Sequence, residues 1–189
     1  MKVRRLSLLF VALLALCSFA IVQGASVEKL TLSQLAMSAK SIVVGKITNV
    51  SYFDAADRST IYTRITMDVS ESLKGTQSGT INFTQLGGVV GDRRVTVSGF
   101  PQFVVGQELV LFLNDDPSGT IATVGLGQGK FNVLTDQSTG EKKVVNDVMG
   151  LEMINDGSLV TSETISLPLS DLKKAVAEAL TPKNENDQK

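Results

Sequence analysis

The 189-residue chain has no histidine and no tryptophan, and its one cysteine, Cys17, sits in an apolar leader. Without histidine it lacks the side chain that most often moves protons near neutral pH, and it lacks the commonest metal ligand. Beyond the leader there is no thiol to act as nucleophile, as soft metal ligand or as half of an internal disulfide. Aromatic rings are scarce as well: eight phenylalanines and two tyrosines. Only one stretch is apolar over a length approaching the roughly 20 residues that span a bilayer, and it lies at the start of the chain.

That stretch, 6–22, follows a basic start (Lys2, Arg4, Arg5) and runs into Val22-Gln23-Gly24. A charged start, an apolar middle and a small-residue end are the order of a secretory signal peptide, so residues 1–24 are expected to be one. Retained, the same stretch would act as an anchor. Cleavage after Gly24 leaves 165 residues and removes Cys17. No further span is then expected. Removing Lys2, Arg4 and Arg5 from the 18 basic residues leaves 15 against 19 acidic ones, a net charge of −4. A mildly acidic domain has no general attraction for nucleic acid. The expected locations are periplasmic or extracellular, and stability there must come from a hydrophobic core rather than disulfides. The sequons at Asn49 and Asn82 fall in strand-like runs and are read as chance.

After the leader, Thr31 and Gln34 have the spacing of a capping box, and Leu30 and Leu35 that of a hydrophobic staple. Leu32, Leu35, Ala36 and Ala39 then share one face of a short helix. From Ser41 the period becomes that of strands. The run 42–53 slips phase between Ile47 and Val50, near Gly45, which predicts a bulged and bent strand. Next, Ile61, Thr63, Ile65, Met67 and Val69 alternate with polar residues, the pattern of a half-buried antiparallel strand. Ile81 and Phe83 seed a third strand, and 109–113 is apolar throughout. Turn residues at 114–119, 125–129 and 135–140 separate further short strands at 121–124, 130–134 and 142–145. A second helix is expected from Ser170 as its cap, with Asp171 in its first turn and Leu172, Val176, Ala179 and Leu180 as its apolar stripe. It stops before Pro182, and 183–189 reads as a disordered tail. Residues 25–182 are thus expected to form one mainly β domain, an antiparallel barrel with one helix near each end.

Three stretches carry a resemblance: LSQLAMSAKSIVVGKI, IYTRITMDVSESLKG and FVVGQELVLFL, between Leu32 and Leu113. The series resembles the netrin-like module, the OB-type barrel of the tissue inhibitors of metalloproteinases. It is also similar to a loose group of exported bacterial proteins of unassigned function. The resemblance implies an OB-like barrel and an inhibitory or protein-binding role. It does not carry over the family's zinc-chelating terminus, because family inhibitors begin on a cysteine where this chain has Ala25.

Several motifs are read as structural. Gly125-Leu126-Gly127-Gln128-Gly129-Lys130 has the look of a phosphate loop. However, Val124 stands where its first glycine belongs, and Phe131 stands where a magnesium-binding hydroxyl is needed. Asn114, Asp115, Asp116 and Ser118, like Asp136, Ser138 and Glu141, offer oxygens but not the alternation or closing glutamate of a calcium loop, so both are read as turns. G-x-S-x-G and S-x-x-K do not occur after the leader. Two acids can meet only in the fold, so a small carboxylate-dependent hydrolase stays open as an alternative.

The segment 87–102 is the candidate site. It is longer than a hairpin connection needs, and long connections in compact domains are functional or disordered. Adjacent Arg93 and Arg94 suit a carboxylate or sulfate, with Phe100 and Pro101 as apolar anchors. The reading is an exported, non-enzymatic binding module without cofactor or metal. Its expected partner is a protein, either an exported protease or an envelope protein. A structural or envelope-associated protein is the alternative.

Overall fold

The computed structural model describes residues 26–115, 121–148 and 151–182. The signal-peptide reading, Cys17, Ala25, the 116–119 part of the first turn and the 183–189 tail lie outside the described residues. The fold is mainly β, with two helices, α1 (Leu32–Ser38) and α2 (Leu169–Leu180).

Helix α1 starts as its sequence predicts. The Thr31 side chain accepts from the Gln34 amide, and Gln34 accepts in return from the Thr31 amide at 2.8 Å. Helix α2 differs from expectation. Its N-cap is Pro168, without a side-chain cap, and Ser170 lies inside the helix. Proline fits there because its fixed φ leads from the preceding strand into the first turn and no amide is left orphaned.

The main sheet is built on two long strands, β2 (Ser41–Asp54) and β3 (Ile61–Lys74), with β4 (Gly79–Leu86) beside β3. The phase slip in β2 is a break in register between Ile47 and Asn49, with further breaks between Val44 and Gly45 and between Ile42 and Val43. A Cβ at Gly45 would stand 2.2 Å from the Asp68 carbonyl oxygen, so only glycine lets the strands approach at that bend. Two short strands, β5 (Gly88–Val90) and β6 (Arg93–Val95), form a separate ribbon. Strand β7 (Glu108–Asp115) pairs with β2 on one side and is shared on the other. Its later half takes β8 (Ile121–Thr123), and its earlier half takes β9 (Lys130–Thr135), followed outward by β10 (Lys142–Asn146) and β13 (Ser166–Pro168). Strands β1 (Ser26–Glu28), β11 (Glu152–Asn155) and β12 (Ser158–Val160) make a third, small sheet.

The pairing order β13-β10-β9-β7-β2-β3-β4 is open. Strand β8 lies beside β4, yet among the described residues no hydrogen-bonded ladder joins them. The closed barrel expected from sequence is therefore not found.

Alternation along β2 and β7 divides the core in two. Ile42, Val44, Val110 and Phe112 face α1 and α2 and pack with Phe131, Leu172 and Val176. Val43, Ile47, Leu109, Leu111 and Leu113 face the other way and pack with Ile65, Met67, Ile81, Phe83 and Phe103. Residues 109–113 of β7 are buried on both faces, which is why that run is apolar at every step. Each such large side chain stabilises the fold by roughly 1.5–3 kcal/mol.

The glycine-rich stretch is a short 3-10 turn, Leu126–Gly129, feeding β9, as its lack of phosphate-loop residues implied. Gln128 within it is buried and bridges two partners: its amide donates to the Glu28 carbonyl at 2.9 Å and accepts from the Leu30 amide at 2.8 Å. It ties the first strand to the body of the fold. Lys130, only 2% exposed, donates to Asp147 at 2.9 Å and stands 5.4 Å from the centre of the Phe103 ring.

Candidate functional site

The inner face of β2, β3 and β4 is laid down in rows of three cross-strand neighbours. Ile47, Met67 and Ile81 form one row, and Val50, Ile65 and Phe83 the next. The third row is Tyr52, Thr63 and Gln85. At that point the apolar rows give way to polar groups, and the core opens into a cleft of about 340 Å³.

Each member of that row has a defined place. The Thr63 hydroxyl, buried, donates to the Gly87 carbonyl at 2.7 Å. The Gln85 amide donates to the Pro101 carbonyl at 2.8 Å. Tyr52 stays 47% exposed although it is an aromatic ring on an inward row.

The chain then crosses this end of the sheet. Gly87 donates its amide to the Ile61 carbonyl at 2.8 Å, and Gly88, at φ 141°, passes so close that a Cβ would stand 2.6 Å from the Tyr52 ring. No other residue type fits that approach and that dihedral together. The β5–β6 ribbon follows, so the expected irregular connection is in part a hairpin. Its loop is Gly91-Asp92, with φ 61° at Gly91, and glycine in the first of two loop positions is the chemistry of a type II′ turn.

The ribbon separates the two arginines. Neighbours on a strand point to opposite faces. Arg93 donates to Asp54 at 2.7 Å and to the Arg58 carbonyl at 2.8 Å, latching the ribbon onto the turn between β2 and β3. In that turn Arg58 has φ 55°, and Asp57 accepts from the Ser59 amide and hydroxyl, which lowers its carboxyl pKa below the ordinary aspartate value. Arg94 lines the cleft with Tyr52, Gln85, Phe100 and Gln102. It is exposed, and among the described residues no acid lies within ion-pairing distance of it. Phe100 is half-buried at the same rim. Pro101 is buried, and its carbonyl serves the fold through Gln85.

Of the four residues singled out from sequence, Arg94 and Phe100 therefore meet in one cleft. Arg93 and Pro101 hold its walls. Sequence reasoning missed Tyr52, Thr63 and Gln85. Their signal was present in the alternation itself, which changes from Ile65 to Thr63 on β3 and from Phe83 to Gln85 on β4.

A larger, open groove of about 1010 Å³ lies along β10, β13 and the start of α2. Two of its three lysines are matched, Lys142 with Glu108 at 2.6 Å and Lys173 with Glu71, while among the described residues Lys143 has no acid within ion-pairing distance. Asp136 at its edge accepts from the Ser138 hydroxyl and from the Ser138 and Thr139 amides, and these bonds bring its pKa down to about 2. It closes a hairpin turn, as the sequence predicted. Among the described residues there is no cluster of acids that would hold a metal ion. Comparison with family models, curated proteins and solved structures finds no match for this chain.

Proposed function

We propose that this protein is an exported, non-enzymatic binding module of netrin-like, OB-type architecture, and that it takes a protein partner at the cleft above the Tyr52, Thr63 and Gln85 row. The architecture is supported by strand order. The β2–β3–β4 meander, β7 on β2, and β8 on β7 beside β4 follow the circuit of a five-stranded OB barrel left open between β4 and β8. The carrying observation is Arg94, a cation with no acid partner among the described residues, lining one cleft with the exposed Tyr52 and half-buried Phe100 rings where the apolar rows give way. An exposed arginine beside aromatic rings is the residue set that dominates protein interfaces.

A zinc-chelating terminus is no part of this reading. The residues just after Ala25 are committed to strand β1, paired in parallel with β11 and held by Gln128. The contact surface is the cleft instead.

The test is capture of a partner from the exported fraction of the source. Wild-type protein and a Lys143→Glu variant, altered at the distant groove, should retain the same partner in equal amounts. An Arg94→Glu, Phe100→Ser variant that melts like wild type should lose it. Retention by that variant would remove the cleft as the contact surface.

A further inference from the structure

The cleft's chemistry narrows what the partner must present. This step rests on the binding reading above. We infer that the cleft takes an extended segment of a protein partner, with a carboxylate held by Arg94 and a neighbouring apolar side chain lodged against Tyr52 and Phe100.

Charge is the first ground. Arg94 is the one charged side chain lining the cleft among the described residues, and no acid lines it. The protein as a whole carries more acidic than basic residues. The cleft's own charge is positive, so it favours an anion. The guanidinium fork fits a planar carboxylate through two parallel hydrogen bonds. Arg93, one residue away, is already engaged by Asp54 and the Arg58 carbonyl, so of the two adjacent arginines Arg94 is the one left to take an anion.

Size and walls are the second ground. A volume of about 340 Å³ is at the small end for ligand clefts, enough for one or two side chains. Tyr52, Leu86, Val97 and Phe100 supply apolar surface beside the cation, and Thr96 and Gln102 supply polar groups that suit a peptide backbone.

The ribbon favours an extended segment over a free small acid. Strand β5 packs against β2 and β3, so β6 is the outer strand, and it pairs with β5 alone. Its other edge carries backbone groups in no ladder among the described residues, the usual template for an added strand. A segment laid there places alternate side chains on the face from which Arg94 enters the cleft.

The test uses protein expressed from the full chain and immobilised, with two pools of acetylated octapeptides. The pools are random except for a central glutamate in one and a central glutamine in the other. The glutamate pool should be retained about threefold to fivefold more strongly, with apolar residues enriched beside the glutamate, since a charge pair at an exposed arginine is worth less than one decade of affinity. In Arg94→Gln protein that melts like wild type the preference should vanish, and Arg94→Lys should restore part of it. Equal retention of both pools, or a preference that survives in Arg94→Gln, would overturn the inference. Release of the glutamate pool by 4-methylpentanoate at matching concentration would overturn the segment in favour of a small acid. If the pools are not discriminated while partner capture still depends on the cleft, the inference fails and the binding reading stands. If capture is indifferent to the cleft, both fail.

Discussion

The helix-covered half of this molecule and its open end are built on the same strands and obey opposite rules. Under α1 and α2, inward positions are apolar and sealed, as at Ile42, Val44, Val110 and Phe112. At the far end of β2 and β3 the inward row is Tyr52, Thr63 and Gln85; its ring is left exposed, and the cation lining the cleft, Arg94, has no acid partner among the described residues. The difference teaches where to look for function in a chain without familiar catalytic residues. A sheet whose apolar rows give way to a polar one at the third step has opened its core there, although Ile61 beyond that row is apolar and buried beneath Gly88.

The comparison can be broken first at the sealed side. Phe112 is fully buried and packs 5.5 Å, centre to centre, from Phe131. Phe112→Ala should cost about 3–5 kcal/mol in urea unfolding, the usual price of emptying such a site. A loss under about 1 kcal/mol would mean that this half is not the core described above. At the open end the effect should be smaller and local. Gly88→Ala must force a side chain against Tyr52 at a dihedral that suits glycine, and should cost about 1–3 kcal/mol. Amide exchange should rise in β5 and β6 and stay unchanged in β9 and β10; a uniform rise would show that the two halves do not separate.

The smallest effect concerns pH. Asp136 has a folded pKa of about 2, below the ordinary value of 3.8. A depressed carboxylate pKa stabilises the fold above the unfolded value, and that contribution fades as pH falls from about 4 towards 2. In Asp136→Asn the acid limb of the stability curve should therefore be slightly shallower over that window, with no change in slope above about pH 5. Carbon-detected titration of the Asp136 carboxyl checks the premise: a midpoint near 4 would contradict it.

Much of the fold was legible in the sequence because some signals are local. The capping box at Thr31 and Gln34, the phase slip near Gly45, the alternation of β3 and the doubly buried β7 each concern one element and its immediate neighbours. The paired ribbons were harder to see. Strands β5, β6, β11 and β12 have only three or four residues, too few for a period to show. Their signals lay in the turns instead: Gly91-Asp92, and Asp156-Gly157 with positive φ at both positions. The open edge between β4 and β8 depends on how far apart two strands settle, which neither strand records by itself. Likewise, the pairing of Lys130 with Asp147 is a tertiary choice that their spacing does not announce.

The candidate site was half legible for the same reason. Arg94 and Phe100 stood out as unusual content in a connecting segment. Their partners on β3 and β4 looked like ordinary alternation until the register aligned Thr63 with Gln85. The separate fates of Arg93 and Arg94 follow from the ribbon, and a segment read as irregular does not reveal opposite faces.

Because the account assigns adjacent arginines to different work, the most direct test compares Arg93→Ala with Arg94→Ala, each measured for melting temperature and for retention of the glutamate octapeptide pool. Arg93→Ala should lower stability by about 1 kcal/mol, since it removes an exposed ion pair and one further hydrogen bond. Arg94→Ala should melt with wild type and lose the glutamate preference. Equal effects of the two changes on both measurements, or destabilisation by Arg94→Ala alone, would contradict the account.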